Sequence, residues 1–397
     1  MNFLKRIPRL VLLFLLIELL DELVYGAHET AWPLIRADLH LDYAQIGLAL
    51  SLPGLISVGI EPLFGILGGG ARRRALILGG GVLFALALVV TGLSNSFVWL
   101  LAGSILFHPA SGAFVSLSQA SLMDLEPGRH EQNMARWTFA GSLGVFLGPL
   151  LLGLFTLSGW GWRGMMLGLA AGALLVLALA WRGIPPPGQE EEQEEKLSFR
   201  ESARRALNLL KRGEVLRWLL LLEFSDLMLD VLYNYLALYL VDVVQLTPET
   251  AALGVAVWTG VGLLGDFLLI PLLERVRGLD YLRVSVVLEL VLFPAFLLSE
   301  PLPLKLAILG LLGFFNSGWY SILKGQLYSE IQGQSAAMLV LDNTAAIFGK
   351  LIPLAIGLAA QRFGLASTMW LLLAGPIALL LGLPRRAREQ SAPPMAD

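Results

Sequence analysis

The sequence predicts an all-α membrane protein with twelve transmembrane helices in two pseudo-symmetric six-helix halves. Three observations carry this expectation. Of 397 residues only 15% are charged and 56% are hydrophobic, whereas an ordinary soluble domain is about 25% charged; the mean hydropathy is +0.72. Apolar stretches near the roughly 20 residues that a bilayer-spanning helix needs recur along the whole chain, with room for about twelve. Polar residues also repeat in order. Glu18, Asp21 and Glu29 share one offset with Glu223, Asp226 and Asn234, Ser111-Gly112 pairs with Ser317-Gly318, and Gly148-Pro149 through Gly153 echoes Ile352-Pro353 through Gly357.

In order, the first half is expected to span the membrane at 10–36, 44–68, 75–95, 98–122, 133–157 and 163–182. The second half follows at 215–241, 250–273, 281–299, 302–327, 336–360 and 363–383. The chain thus divides into a half at 1–182, a linker at 183–214, a second half at 215–384 and a tail at 385–397. The first stretch lacks a small-residue cleavage site and reads as a retained helix. Loop charges set the topology. One side carries Lys5, Arg6, Arg9, Arg72, Arg73, Arg74, Arg129, Arg136, Arg204, Arg205, Lys211, Arg212, Arg275, Arg277, Arg283, Arg385, Arg386 and Arg388. The other carries Asp38, Asp42, Asp242, Glu249 and Glu300, with Arg163 and Arg362. Both termini are therefore expected in the cytoplasm of a multi-pass protein of the cell membrane. The linker opens with Pro185-Pro186-Pro187-Gly188, runs through the acidic Glu190–Glu195 segment, and continues from a capping box at Ser198 into a short amphipathic helix.

Composition also excludes functions. Basic patches interleaved with aromatics are missing, which argues against nucleic acid as a partner. No cysteine is present, which rules out disulfides, thiolate chemistry and Cys-based zinc sites. No phosphate-binding Gly-x-x-x-x-Gly-Lys-Ser/Thr loop occurs, so ATP-driven work by this chain alone is not expected. No nucleophile–base pair or dense metal-ligand spacing stands out, so neither an enzyme nor a resident cofactor or metal is expected. The partners expected are a small-molecule substrate, protons and the lipid bilayer, with the chain a monomer.

The chemistry concentrates on two stripes. At about 100° per residue, Glu18, Asp21, Glu22, Tyr25 and Glu29 share one helix face, and Glu223, Asp226, Asp230 and Asn234 share another. Carboxylates are costly in hydrocarbon, so such stripes should face a bundle interior or a watery cavity. Asp21 and Asp226, with Glu18 and Glu223, are the candidate proton or cation sites. Glu22, Tyr25, Glu29, His108, Asp230, Asn234 and Lys350 are the candidate cavity lining. An ion-pair role that only holds the halves together is the structural alternative for the acids. Lys350 needs a carboxylate partner from another helix, since Asp342 is two turns away. His108 is either a proton relay or a satisfied core histidine. Glu61 and Asp266, on equivalent helices, would gate the cytoplasmic end with Arg72, Arg73 and Arg275, or simply anchor those loops. Glu289, placed toward the bundle periphery, is assigned no role. Repeated six-helix halves with a midplane polar site mark a secondary transporter.

On these residues the chain resembles the major facilitator superfamily over nearly its full length. Gly65 to Arg74 is similar to that family's motif after the second helix, with Gly69 where an acid is usual, and Glu274 to Gly278 is its second-half counterpart. Gly141-Ser-Leu-Gly144-Val-Phe-Leu-Gly148-Pro149 resembles the antiporter motif of the fifth helix, which implies a gating role for Gly148 and Pro149. The fourth-helix arginine of drug–proton antiporters is missing, with Gly103 near its place, while Phe107-His108-Pro109 resembles fosmidomycin-resistance-type exporters. The resemblance implies alternating access and, with the acidic stripes, proton-coupled export of a small organic solute, cationic or amphipathic. Movement of a divalent metal or metabolite by the same fold, and a non-transporting sensor or scaffold, are the alternatives.

Overall fold

The computed structural model describes residues 9–67, 72–125, 130–185, 211–273, 275–330 and 347–384. The acidic run, the amphipathic helix of the linker, Gly69, Arg129, Glu274, Asp342 and both extreme termini lie outside these residues. The described chain is helical, with no strand among the described residues.

The first expected span is broken at its far end. Helix α1 runs Arg9–Thr30 and α2 runs Trp32–Leu39, with Pro33 in the first turn of α2, where a missing N–H costs nothing. Helix α3 covers Tyr43–Leu67 and α4 covers Arg73–Gly92. The fourth span is composite: α5 (Phe97–Ser111), a π-turn at Gly112–Ser116, and α6 (Leu117–Leu125). Helices α7 (His130–Leu157) and α8 (Gly161–Gly183) complete the first group.

The seventh span is also composite. Helix α9 (Gly213–Ser225) ends at Asp226, a π-turn covers Leu227–Val231, and α10 covers Leu232–Asp242. Helices α11 (Pro248–Leu273) and α12 (Gly278–Leu298) follow. The tenth span breaks at Ser317-Gly318, between α13 (Leu302–Asn316) and α14 (Trp319–Glu330); Gly318 has φ +75, a region that only glycine enters without strain. Helix α15 (Ile352–Phe363) ends the eleventh, and α16 (Leu365–Thr368), a 3₁₀ turn and α17 (Ala374–Gly382) form the last.

Nine helical stretches among the described residues are long and apolar enough to cross a membrane. The first, seventh and eleventh expected spans are not among them. The first is too rich in carboxylates, the seventh is broken at Asp226, and the eleventh falls partly outside the described residues.

Contacts fall into two groups, α1–α8 and α9–α17. The groups meet where α3 packs on α15, α7 on α11, and α1 and α2 on α10. Glycine permits these approaches: a Cβ on Gly47 would lie 2.8 Å from the Pro353 carbonyl oxygen, and one on Gly260 would lie 2.7 Å from the Phe146 ring.

Candidate functional site

Between the two groups lies a polar hollow made of two adjoining cavities, of about 210 and 510 Å³. Tyr25, Phe107, His108, Asp230 and Lys350 line both. The larger cavity, toward the end that carries the basic loops, adds Asp21, Glu22, Glu61 and Ser111. The smaller, toward the opposite end, adds His28, Glu29, Glu223, Asp226 and Asn234.

Helical irregularity positions these groups. Ser111 ends α5 just before the first π-turn, and its Oγ donates to Asp21 Oδ1 at 2.9 Å. The second π-turn starts immediately after Asp226 and contains Asp230. A π-turn inserts a residue and re-aims the following side chains, and such turns recur at functional sites. Here both turns border the acids.

Each remaining acid has a defined seat. Glu22 lines the larger cavity. Glu29 is buried, accepting from Trp32 Nε1 at 3.0 Å and facing His28 Nδ1 at 3.2 Å. Glu223 packs against Gly349, beside Lys350. The Lys350 stem lies on Gly54, and Lys350 lines the smaller cavity together with Asp226, Asp230 and His108. Asp226 and Asp230 of the seventh span thus share the cavity wall with Lys350. His108 Nδ1 lies 3.1 Å from the Ser104 carbonyl oxygen. A carbonyl only accepts, so Nδ1 carries a proton.

Glu18 departs from its expected place. It is buried at the α1–α7 interface, where a Cβ on Gly141 would come within 2.7 Å of its Oε1, and it does not line either cavity. The stripe of α1 is wide enough for its first acid to turn toward α7 while Asp21, Glu22 and Tyr25 turn to the cavity. The Gly141–Gly144–Gly148 ladder creates that interface: a Cβ on Gly144 would meet Leu19 O at 2.6 Å, and one on Gly148 would overlap the Gly26 and Ala27 backbone. Pro149 lies within α7, which continues to Leu157.

The residues expected to gate the basic end are differently engaged. Glu61 accepts from Ser57 Oγ at 2.7 Å and sits against Gly112, so it belongs to the cavity wall rather than to a pair with Arg72 or Arg73. Arg73 pairs with Asp124. Asp266 faces the Gly318 backbone N–H and lies outside the cavity, and Arg275 is exposed. The repeat survives in three dimensions, because Glu61 and Asp266 each abut the glycine of a Ser-Gly step, Gly112 and Gly318.

The sequence offers Tyr233 and Tyr235 as aromatic faces for an organic cation or as ordinary helix packing, and Tyr235 donates instead to the Pro353 carbonyl at 2.6 Å; two assembled features lie beyond sequence reasoning. An aromatic row crosses the halves: Tyr25 to Tyr233 and Tyr233 to Trp258, each with ring centroids 5.5 Å apart. Tyr233, Trp258 and Tyr25 all line the larger cavity. The second feature is a latch at the end opposite the basic loops. Arg36 Nη1 donates to Asp242 Oδ2 at 2.6 Å, Tyr43 OH donates to the same oxygen at 2.7 Å, and Arg36 stacks on the Tyr43 ring at 4.5 Å. Tyr43 N also donates to Gln361 Oε1 at 3.1 Å. Spacing in sequence gives no hint of these contacts, since Arg36 and Asp242 are 206 residues apart. At the basic end, among the described residues, Arg73 pairs with Asp124 of the first half, Arg283 with Asp280 of the second, and Arg212 of the linker with Glu330 of the second.

Among the described residues no three His, Asp or Glu side chains converge as a metal site would require. Two helical groups around a polar hollow, carboxylates from both lining it and a latch across one end define a transporter-type membrane bundle. The chain belongs to the Major Facilitator Superfamily, whose family model matches residues 14–349. Over 358 residues, 85% of this chain and 83% of the relative, it is 23% identical to the transcription regulatory protein OpdE of Pseudomonas aeruginosa. A chloramphenicol resistance protein of the same organism is 30% identical over 179 residues, 44% of this chain and 42% of that protein. The crystal structure of the nucleoside transporter NupG superposes with a TM-score of 0.75 at 14% identity, covering 95% of this chain and 98% of that one. The fold supports a secondary transporter.

Proposed function

We propose that this protein is a proton-coupled secondary transporter that exports a small organic solute, cationic or amphipathic, across the cell membrane by alternating access. The observation that carries the reading is the shared hollow. Asp21 and Glu22 from one half, and Asp226 and Asp230 from the other, line contiguous space together with the Tyr25–Tyr233–Trp258 row. Carboxylates bind protons or cations, and aromatic faces attract organic cations when water is excluded. Asp21 and Asp226 act as the coupling sites, Asp230, Glu22 and Tyr25 contact the solute, and Lys350 balances Asp226 and Asp230 until protons or solute replace it. The division at 183–214, cytoplasmic termini and a monomeric chain belong to the same reading. With the basic loops cytoplasmic, the Arg36–Asp242–Tyr43 latch closes the outer side and the larger cavity faces inward. The partial match to a chloramphenicol resistance protein favours an organic solute.

The test uses reconstituted proteoliposomes with ethidium as the probe cation. An imposed pH gradient should drive its flux, and Asp21→Asn or Asp226→Asn should abolish that drive. Gradient-driven flux at the wild-type rate in both variants would overturn the coupling assignment. A second reading, a non-transporting membrane sensor, is favoured by the regulatory name of the OpdE relative; it is distinguished by ethidium binding without any flux.

A further inference from the structure

Glu289 lies on α12, away from the hollow, and has no place in the mechanism above. Its side chain is fully buried, with 0% exposure, and neither carboxyl oxygen has a hydrogen-bond partner among the described residues. The sequence suggests the bundle periphery; the structure instead turns this residue into the packed core of the second half. The internal repeat that pairs Glu18 with Glu223 and Asp21 with Asp226 pairs Glu289 with Phe84. Phe84 is an ordinary core residue, fully buried and packed on Phe107 and Phe114 at 4.8 and 5.8 Å. At the corresponding place of the first half the buried side chain is thus apolar, and the repeat does not carry the acid.

Among the described residues the surroundings supply no counter-charge. Helix α13 carries Lys305 as its one titratable residue, and its ammonium donates to the Phe296 carbonyl at 2.6 Å at the far end of the helix. Helices α16 and α17 and the intervening turn carry none. On α14, Lys324 lies over the Tyr320 ring, and Glu330 pairs with Arg212. On α12 itself, Arg283 is held by Asp280 and Pro384, and Tyr281, two turns before Glu289, supplies no positive charge. The nearest polar link, Trp319 Nε1 to Ser285 Oγ at 2.8 Å, is complete without Glu289, because Ser285 donates on to Leu282 O. An ionised carboxylate with no partner in such a setting costs far more than a neutral acid.

We propose that Glu289 is a proton-binding site of the second half-bundle, separate from the central hollow, and that its bound proton lets this half stay packed. Above the ordinary glutamate range the unfolded chain has lost this proton while the folded chain keeps it. Folding then takes up one proton, and each unit of pH rise lowers the folding equilibrium about tenfold until the folded protein too lets go. The experiment compares thermal unfolding of the full chain in detergent from about pH 6 to about pH 10. Wild-type Tm should fall with rising pH more steeply than that of Glu289→Gln, with the two equal or the variant higher near neutrality. Infrared difference spectra at neutral pH should show a carboxylic-acid carbonyl band that Glu289→Gln lacks. Parallel pH slopes, or no such band, would overturn the proposal. Glu289→Leu guards against a packing accident with glutamine: at least one of the two neutral variants must fold, and failure of both would mean that a charged carboxylate is required. None of these readouts involves transport, so their failure is separate from failure of the export reading.

Discussion

On the alternating-access reading proposed above, removing the latch should redistribute the protein between two access states. Asp242 receives two hydrogen bonds across the interface between halves, from Arg36 Nη1 at 2.6 Å and Tyr43 OH at 2.7 Å. A hydrogen bond to a charged group contributes about 1.5–3 kcal/mol. The Arg36 and Asp242 side chains are 32% and 20% exposed, and solvent screening cuts that value, so the two bonds together are worth about 2 kcal/mol. Both bonds must break for the halves to part at this end. Asp242→Ala should therefore shift the ratio of latch-open to latch-closed molecules about 30-fold toward open, at 1.36 kcal/mol per tenfold. The absence of native cysteine makes spin labelling clean. Labels at Ala37→Cys and Glu300→Cys, both exposed and on opposite halves at this end, report the separation by pulsed electron resonance in nanodiscs. The expected outcome is growth of a longer-distance population in Asp242→Ala. It should be smaller in Asp242→Asn, which keeps an acceptor for Tyr43. A distance distribution indifferent to Asp242→Ala would refute the latch and the inference that this end is closed by it.

Other perturbations have equally definite outcomes. Gly144→Val should lower Tm sharply or prevent folding, because a side chain there meets the Leu19 carbonyl and Leu23 N–H of α1, at a cost of about 3 kcal/mol or more; Gly153→Ala, with open space around it, should leave Tm unchanged or raised. Trp258→Leu should weaken ethidium binding by roughly 3- to 30-fold, the worth of one desolvated cation–π contact, measured by fluorescence titration, and leave an uncharged amphipath unaffected. Lys350→Gln should slow ethidium flux while Lys350→Arg retains most of it, since the arginine preserves a positive charge in the cavity that Asp226 and Asp230 line; equal loss in both would point to packing on Gly54 instead.

Much of the architecture is written in one-dimensional pattern. Apolar length, the duplicated Glu-x-x-Asp series and the Gly141–Gly144–Gly148 spacing are local properties, and hydrocarbon leaves helices as the only open-ended way to satisfy the backbone. That made the bundle, its two halves and the inward turn of Asp21, Asp226 and Asp230 readable from residue order. What the sequence could not decide depends on contacts between distant segments. A stripe 100° wide does not say which of its acids faces a neighbour, so Glu18 went to Gly141 and Asp21 to Ser111. Glu61 and Asp266 look equivalent in sequence, yet the two halves surround them differently and only Glu61 lines the hollow. The π-turns after Ser111 and Asp226, the Tyr25–Tyr233–Trp258 row and the Arg36–Asp242 latch arise only when the helices pack. Composition and periodicity thus determined that this chain is a duplicated membrane bundle with acids inside it. Tertiary packing decided which acids share a cavity and where the Arg36–Asp242 latch joins the halves, because both depend on distances between groups hundreds of residues apart.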